Sequence, residues 1–322
     1  MKIVLAGGSG QIGGFLARHF SRVGKDVIVL ARTASKVQGV RSVMWDGRTL
    51  GEWASEIDGA DAVINLTGKT INCRYTAENR REILSSRVDS TKVIGAAIAA
   101  AQDKPKVWVN ASAAGIYKHS FTQAYDEATT VFGGEGEDVP ETWRFGAEVV
   151  KVWEQTFDMI EAPGTRKIAL RTTLAVNPDP GSVFDVLLGL VNKGLGGTQG
   201  SGKQLVSWMH DADYARAVEF MINEESISGP VNMCTPKPVT NEEFMRELRE
   251  AAGAKIGIPA PAFALKLAAP IIGTQDWLVL KSINAIPGVL ERAGFDFQYS
   301  EWQLAARNLV RRWKQNKSGQ VG

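Results

Sequence analysis

The chain has 322 residues, 44% of them hydrophobic, and 37 Lys and Arg against 35 Asp and Glu give a formal net charge of +2. That length exceeds one average domain and supports a sizeable core, while charges of both signs, scattered with no long basic run, argue against nucleic acid as a partner. Cys73 and Cys234 stand at no metal or disulfide spacing, which fits a reducing compartment; no leader-like segment precedes the first strand and no run approaches the roughly 18 apolar residues of a membrane span, so a cytoplasmic protein is expected.

Along the chain, short β-rich runs at 2–6, 26–31, 62–66, 107–111 and 167–172 alternate with segments of helical period at 11–23, 77–101 and 140–160. That alternation predicts a parallel sheet covered by helices. Val27-Ile28-Val29-Leu30 is wholly apolar and Ala62-Val63-Ile64-Asn65-Leu66 nearly so, as in strands buried on both faces. After Pro178 the pattern loosens into turns at 178–181 and 194–202, then helices near 211–223 and 241–252. From Pro259 come three prolines (Pro259, Pro261, Pro270), two helical stretches and a last amphipathic helix over 300–314, with Ser300 as its N-cap. The expected fold class is α/β, a Rossmann doubly wound parallel sheet with a smaller, mostly helical C-terminal lobe on the substrate side: residues 1–235 as the dinucleotide-binding domain and 236–322 as a C-terminal module.

The chemistry begins at Gly7-Gly8-Ser9-Gly10-Gln11-Ile12-Gly13, which follows a strand and opens a helix with Gly7, Gly10 and Gly13 three apart. In that context Gly7 permits the tight turn, Gly10 lets backbone amides approach a pyrophosphate, and Gly13 allows helix to pack closely on strand. An acidic residue ending the second strand would favour NAD through the adenosine ribose. Here Leu30-Ala31-Arg32-Thr33 ends it instead, with Ser35 and Lys36 close behind. Arg32 suits a 2′-phosphate, so NADP is favoured over NAD, a solvated Arg32 being the competing explanation.

Together with the glycine turn, Asp61-Ala62-Val63-Ile64-Asn65-Leu66-Thr67-Gly68 and Asn110-Ala111-Ser112-Ala113-Ala114-Gly115-Ile116-Tyr117 make the chain resemble the short-chain dehydrogenase/reductase superfamily, in its extended, sugar-nucleotide-epimerase-like branch. It is most similar to an atypical epimerase-like subgroup with a C-terminal domain of unknown function. The marks of that subgroup are Ser85-Ser86-Arg87-Val88-Asp89-Ser90-Thr91, Trp153-Glu154, Gly200-Ser201-Gly202-Lys203-Gln204 with Ser207-Trp208-Met209-His210, Pro238 to Phe244, and Gly294-Phe295-Asp296-Phe297. The resemblance implies that Ser9, Gln11, Ile12, Leu66, Thr67 and Gly68 join the glycines and Arg32 around the cofactor. It also implies that Ser112 binds a substrate oxygen. The superfamily's usual proton transfer needs a tyrosine with a lysine four residues on, yet Tyr75, Tyr117, Tyr125, Tyr214 and Tyr299 are followed at that spacing by Asn79, Phe121, Thr129, Val218 and Gln303. Aligned by Glu154, the tyrosine and lysine positions hold Gly146 and Val150, and the asparagine position of the usual tetrad holds Arg87.

Ile83, Arg87, Ser90 and Ile94 share one helix face, and a guanidinium there needs an anionic partner: a substrate carboxylate or phosphate, or an internal Asp or Glu. Tyr117 follows the end of a strand, where it serves as a substitute phenolic donor or simply packs at a loop neck. His210 and Asp213 flank a strand-to-helix junction, where Asp211 or Asp213 as N-cap explains the carboxylates. His19 and His119 have no second ligand at metal spacing, so no metal is expected. Trp208 and the glycine-rich loop 196–203 are candidates for substrate contact, whereas Trp277, Trp302 and Trp313 read as core or interface packing. These features predict an NADP-dependent oxidoreductase or epimerase-like enzyme acting on a small molecule, a sugar nucleotide or other anionic carbonyl or hydroxyl compound, with no nucleic-acid or membrane partner and with a homodimer as a candidate assembly. The alternative is an NADP-binding sensor or regulatory protein that has lost turnover; an assembly role for the C-terminal module is a third reading.

Overall fold

The computed structural model describes residues 1–35, 37–136, 139–272 and 275–318, so Lys36 lies outside the described residues. In chain order the strands are β1 (Lys2–Ala6), β2 (Asp26–Ala31), β3 (Arg41–Met44), β4 (Ala62–Asn65), β5 (Val107–Ala113), β6 (Arg166–Thr172), β7 (Leu174–Val176), β8 (Leu205–Val206), β9 (Trp208–His210), β10 (Gly229–Met233) and β11 (Val239–Thr240). The helices are α1 (Gln11–Arg22), α2 (Ala77–Ala100), α3 (Glu141–Met159), α4 (Val183–Asn192), α5 (Asp211–Asn223), α6 (Asn241–Ala252), α7 (Ala262–Ile272), α8 (Trp277–Leu280), α9 (Gly288–Arg292) and α10 (Trp302–Lys317).

Seven strands form one parallel sheet in the order β10-β6-β5-β4-β1-β2-β3, the doubly wound arrangement expected from the alternation of elements. Every strand expected from the sequence is present, and two more complete the edges. β3 is half-exposed and lacks a long apolar run, while β10 opens on Gly229-Pro230, so neither carries a strong strand signature.

Strand alternation distributes the core to both faces. Ile3, Leu5, Val27, Val29 and Ile64 pack under Phe15, Leu16 and Phe20 of α1 and Val218 and Met221 of α5. Val4, Ile28, Leu30, Val63 and Trp108 pack under Ile94 and Ile98 of α2 and Phe157 of α3. A further apolar cluster joins β9, α4, α6 and α10, with Trp302 stacked on Phe244 at 4.0 Å and meeting Trp208 edge-on at 5.0 Å. Trp208 is wholly buried there, which removes it from substrate contact.

Two caps differ from expectation. α10 begins at Trp302 with Glu301 at its N-cap and no side-chain cap, and the Ser300 carbonyl accepts the Thr235 hydroxyl. α5 is capped by His210, whose Nδ1 accepts the Ala212 N–H at 3.1 Å. Both aspartates are engaged elsewhere: Asp211 takes a two-pronged bond from Arg312, and Asp213 accepts the backbone N–H groups of Gln298 and Tyr299. The segment after α8 is laced to the loop beyond β5, where Tyr125 donates to the Asn284 carbonyl and Ile286 to that of Tyr125. The C-terminal region thereby reaches the carboxyl end of the sheet.

Candidate cofactor groove and substrate cavity

The turn between β1 and α1 is set by two close approaches. Gly7 has φ +75°, and a Cβ on it would lie 3.0 Å from the Thr67 nitrogen; a Cβ on Gly13 would lie 2.5 Å from the Gly8 Cα. Gly10 occupies the N-cap of α1 in an extended conformation with no side-chain cap, so the first N–H groups of the helix face the groove. The Ile12 side chain packs on the core, and the Gln11 amide donates to the Pro180 carbonyl at 3.0 Å. Arg18 pairs with Asp179, which fixes the 177–181 turn beside the glycines.

The opposite wall follows β4. Buried Asn65 donates to Asn110 Oδ1 at 2.8 Å and accepts the Thr67 N–H at 3.1 Å, and this holds the Leu66-Thr67-Gly68 turn against Gly7. A cavity of about 200 Å³ lies between the walls, bordered by Gly7, Ser9, Gly10, Arg32, Leu66 and Thr67. It adjoins one of about 700 Å³ that also includes Arg32, with Asp46, Arg48 and Lys69. Lys69 pairs with Glu82. Asp46 is held by its own turn: the Thr49 N–H and hydroxyl and the Arg48 N–H lower its carboxyl below the usual range. Arg32 is exposed and has no hydrogen bond or ion pair among the described residues. The groove fits a dinucleotide on independent grounds, because Thr67 Oγ1 and Trp45 Nε1 are buried at its wall with no hydrogen-bond partner among the described residues.

Beyond Gly68 a smaller cavity of about 40 Å³ is bordered by Tyr75, Arg87, Ala113, Gly146, Val150 and Trp277. It has room for roughly one or two waters. Ile83, Ser90 and Ile94 are buried on the α2 face that carries Arg87, as their spacing predicts. The Arg87 guanidinium lies against Gly68 on one side and 5.1 Å from the Trp153 ring on the other, and its Nη1 donates to the Lys69 and Ile83 carbonyls. No carboxylate pairs with it among the described residues. Burial lowers its pKa to about 10, opposed by Tyr75.

Ser112 and Tyr117 are placed otherwise than their proposed roles require. Alternation along β5 turns Ser112 away from the cavity, and its hydroxyl donates to Glu154; Ala113 borders the cavity instead. Tyr117 is wholly buried and stacked on Tyr125 at 5.4 Å, with its hydroxyl between Arg171 Nη1 at 3.0 Å and Asn232 Oδ1 at 2.8 Å. Burial raises its phenol to about 12. It packs at the loop neck and offers no donor to a ligand.

Glu154 and Arg171 form the wall behind these residues through a two-pronged pair of 2.9 and 2.7 Å. Burial lowers the Arg171 pKa, but the Glu154 bonds and charge outweigh it and raise the pKa overall. A charged residue directly after the apolar Ile168-Ala169-Leu170 run, within the same strand, was the available signal for such a partner. Tyr75 and Trp277 carried none, because their meeting depends on tertiary structure: Trp277 Nε1 donates to the Tyr75 hydroxyl at 3.2 Å across 202 positions. Loop 196–203 packs on Asn241 and Ala260 and does not border the cavity.

The model of the NAD dependent epimerase/dehydratase family matches residues 3–234, and that of a domain of unknown function (DUF1731) matches residues 260–309. The chain is 31% identical over 316 residues to the epimerase family protein YfhF of Bacillus subtilis, covering 96% of this chain and 98% of that protein. It is 28% identical over 309 residues to the epimerase family protein SA0724 of Staphylococcus aureus, at 96% and 98% coverage. Among solved structures it is similar to human epimerase family protein SDR39U1 with NADPH, at 25% identity and TM-score 0.84 over 97% of this chain and 99% of that one. The UDP-N-acetylglucosamine 4-epimerase of Bacillus cereus shares the fold, at 15% identity and TM-score 0.72 over 98% and 99%.

Proposed function

The chain belongs to the NAD dependent epimerase/dehydratase family, and from that premise we propose that it is an NADP-binding oxidoreductase acting on a small carbonyl or hydroxyl compound with an anionic group, of which a sugar nucleotide is one kind. The observation that carries NADP is Arg32: an exposed guanidinium directly after β2, with no hydrogen bond or ion pair among the described residues, where a carboxylate would favour NAD. The human relative with NADPH supports it. The uncapped N–H groups of α1 hold the diphosphate, Arg32 the 2′-phosphate, and Leu66, Thr67 and Gly68 the opposite wall. Reduced nicotinamide supplies hydride when bound. Arg87, a cation bordering the inner cavity with no carboxylate partner among the described residues, holds the anionic group of the substrate. Two unbridged cysteines support a cytoplasmic setting, and among the described residues no helix is long and apolar enough to cross a membrane.

The test is a pair of calorimetric titrations. Arg32→Asp is expected to weaken NADPH binding by about 1.5–3 kcal/mol, roughly 10- to 150-fold, and to leave NADH nearly unchanged. Equal losses for both would remove the NADP assignment. A second reading, an NADP-binding sensor, is favoured by the absence of any hydroxyl or amine at Ala113, Gly146 and Val150. NADPH binding without oxidation against a broad carbonyl panel would select it.

A further inference from the structure

The positions that would carry the proton-transfer tyrosine and lysine hold Gly146 and Val150, yet the cavity they border is not without a phenol. Tyr75 enters it from the segment between β4 and α2. Its ring meets Phe145 edge-on at 5.0 Å, and the Arg80 guanidinium lies 5.5 Å from the ring centroid. Its hydroxyl accepts the Trp277 N–H, and its own proton has no acceptor among the described residues. The same indole abuts Gly146, where a Cβ would lie 3.0 Å from Trp277 Cζ2. The Tyr75 hydroxyl and the vacated position of the usual tyrosine therefore touch one side chain, and Arg87 borders the same space.

We propose that Tyr75 is the catalytic proton donor and acceptor of this cavity, with Arg87 as the cation beside it, so that a phenol from the β4–α2 segment and a guanidinium from α2 replace the missing pair on α3. The assignment rests on the oxidoreductase reading above. In the reducing direction the Tyr75 O–H bond breaks and an O–H bond forms on the substrate's carbonyl oxygen. The two electrons that make the new C–H bond arrive with the hydride of reduced nicotinamide, which is oxidised as the carbonyl is reduced. The phenolate left on Tyr75 is stabilised by Arg87 and Arg80 until a proton from solvent restores it; oxidation of a hydroxyl runs the same transfers in reverse.

The charges around Tyr75 suit that cycle. Burial dominates and raises its phenol to about 12, opposed by the Trp277 hydrogen bond and by Arg87 and Arg80 and reinforced by Cys73. The phenol thus keeps its proton at neutral pH, and the two cations favour the state it reaches after giving it up. A 40 Å³ cavity does not admit a substrate as it stands. Binding therefore displaces the Trp277 indole, which opens the Tyr75 hydroxyl to the ligand.

The test uses the full chain loaded with NADPH, with two readouts. The first is single-turnover loss of reduced-nicotinamide absorbance with pyruvate, oxaloacetate, glyceraldehyde 3-phosphate and dihydroxyacetone phosphate. The second is calorimetric binding of oxamate, an unreactive anion that offers a carbonyl oxygen. Tyr75→Phe is expected to slow turnover about 100-fold or more and to weaken oxamate about 10-fold, with NADPH affinity unchanged. Trp277→Phe, which removes the same hydrogen bond and keeps the phenol, is expected to slow turnover at least ten-fold less than Tyr75→Phe. Arg87→Lys is expected to retain more turnover than Arg87→Met. Turnover within threefold of the parent in Tyr75→Phe would overturn this assignment alone. NADPH bound by the parent protein, with none of the four carbonyls reduced and no oxamate bound, would overturn the oxidoreductase reading and Tyr75 with it.

Discussion

The cofactor groove and the inner cavity adjoin at Gly68, yet they are built by different means. The groove is framed by main-chain turns, the turn after β1, the uncapped start of α1 and the turn after β4, with side chains such as Arg32 and Trp45 at its border, all within the first 68 residues. The cavity takes its surfaces from side chains on α2, α3 and α8 and on the segment before α2, and one of its hydrogen bonds spans 202 positions. A site made of backbone tolerates little change where the main chain closes on itself. A site made of side chains can be rebuilt, and here the phenol comes from a new element while the old position is left as glycine.

The largest effect expected tests whether the cavity has a rigid rear wall that the groove does not share. Glu154→Gln leaves the Arg171 guanidinium, 5% exposed, without its carboxylate. Loss of one partner of a buried pair costs about 3–5 kcal/mol, because the other charge stays desolvated. Urea unfolding should register that loss, while the protein that remains folded should bind NADPH with unchanged affinity. Parallel loss of NADPH affinity would mean that groove and cavity are one mechanical unit.

The same division explains what could be read from the sequence. Gly7, Gly10, Gly13 and Arg32 were legible because each acts at a fixed offset from a strand end, so order along the chain is order in space. Arg87 was legible as a face of α2 with an unspecified partner, since helical periodicity fixes direction but not neighbours. For Ser112 the resemblance implied a role but no direction, and strand alternation decides it: the Ser112 hydroxyl is taken up by Glu154, while its neighbour Ala113 borders the cavity. Tyr117 looked available because it follows a strand end, and its burial depends on Arg171, Asn232 and Tyr125, which come from three other segments. Trp277 was read as packing. It does pack, but against the empty tyrosine position, a contact between residues far apart in the chain.

A smaller effect probes the backbone character of the groove. Gly13→Ala sets a methyl 2.5 Å from the Gly8 Cα and 2.8 Å from the Gly8 carbonyl oxygen, atoms of the turn itself. The gain in helix propensity, about 1 kcal/mol, is outweighed by overpacking of about 1–3 kcal/mol, occasionally more. A net loss of about 1–2 kcal/mol in unfolding free energy is expected, with at least ten-fold weaker NADPH binding as the turn shifts. Retained affinity would show that the turn yields, and the contrast between the two regions would weaken.

The smallest effect comes from the same substitution in the other region. Gly146→Ala also meets a close neighbour, at 3.0 and 3.2 Å, but that neighbour is the outer edge of the Trp277 indole, which borders a cavity and has room to move. Propensity gain and crowding are then of similar size, so stability is expected to change by less than about 1 kcal/mol. The displaced indole should report itself by a shift in tryptophan fluorescence that is absent when Trp277→Phe is added. A destabilisation as large as that of Gly13→Ala would mean that Trp277 is fixed as firmly as main chain. In that event the cavity could not open by movement of its indole, and Tyr75 would stay beyond the reach of any substrate.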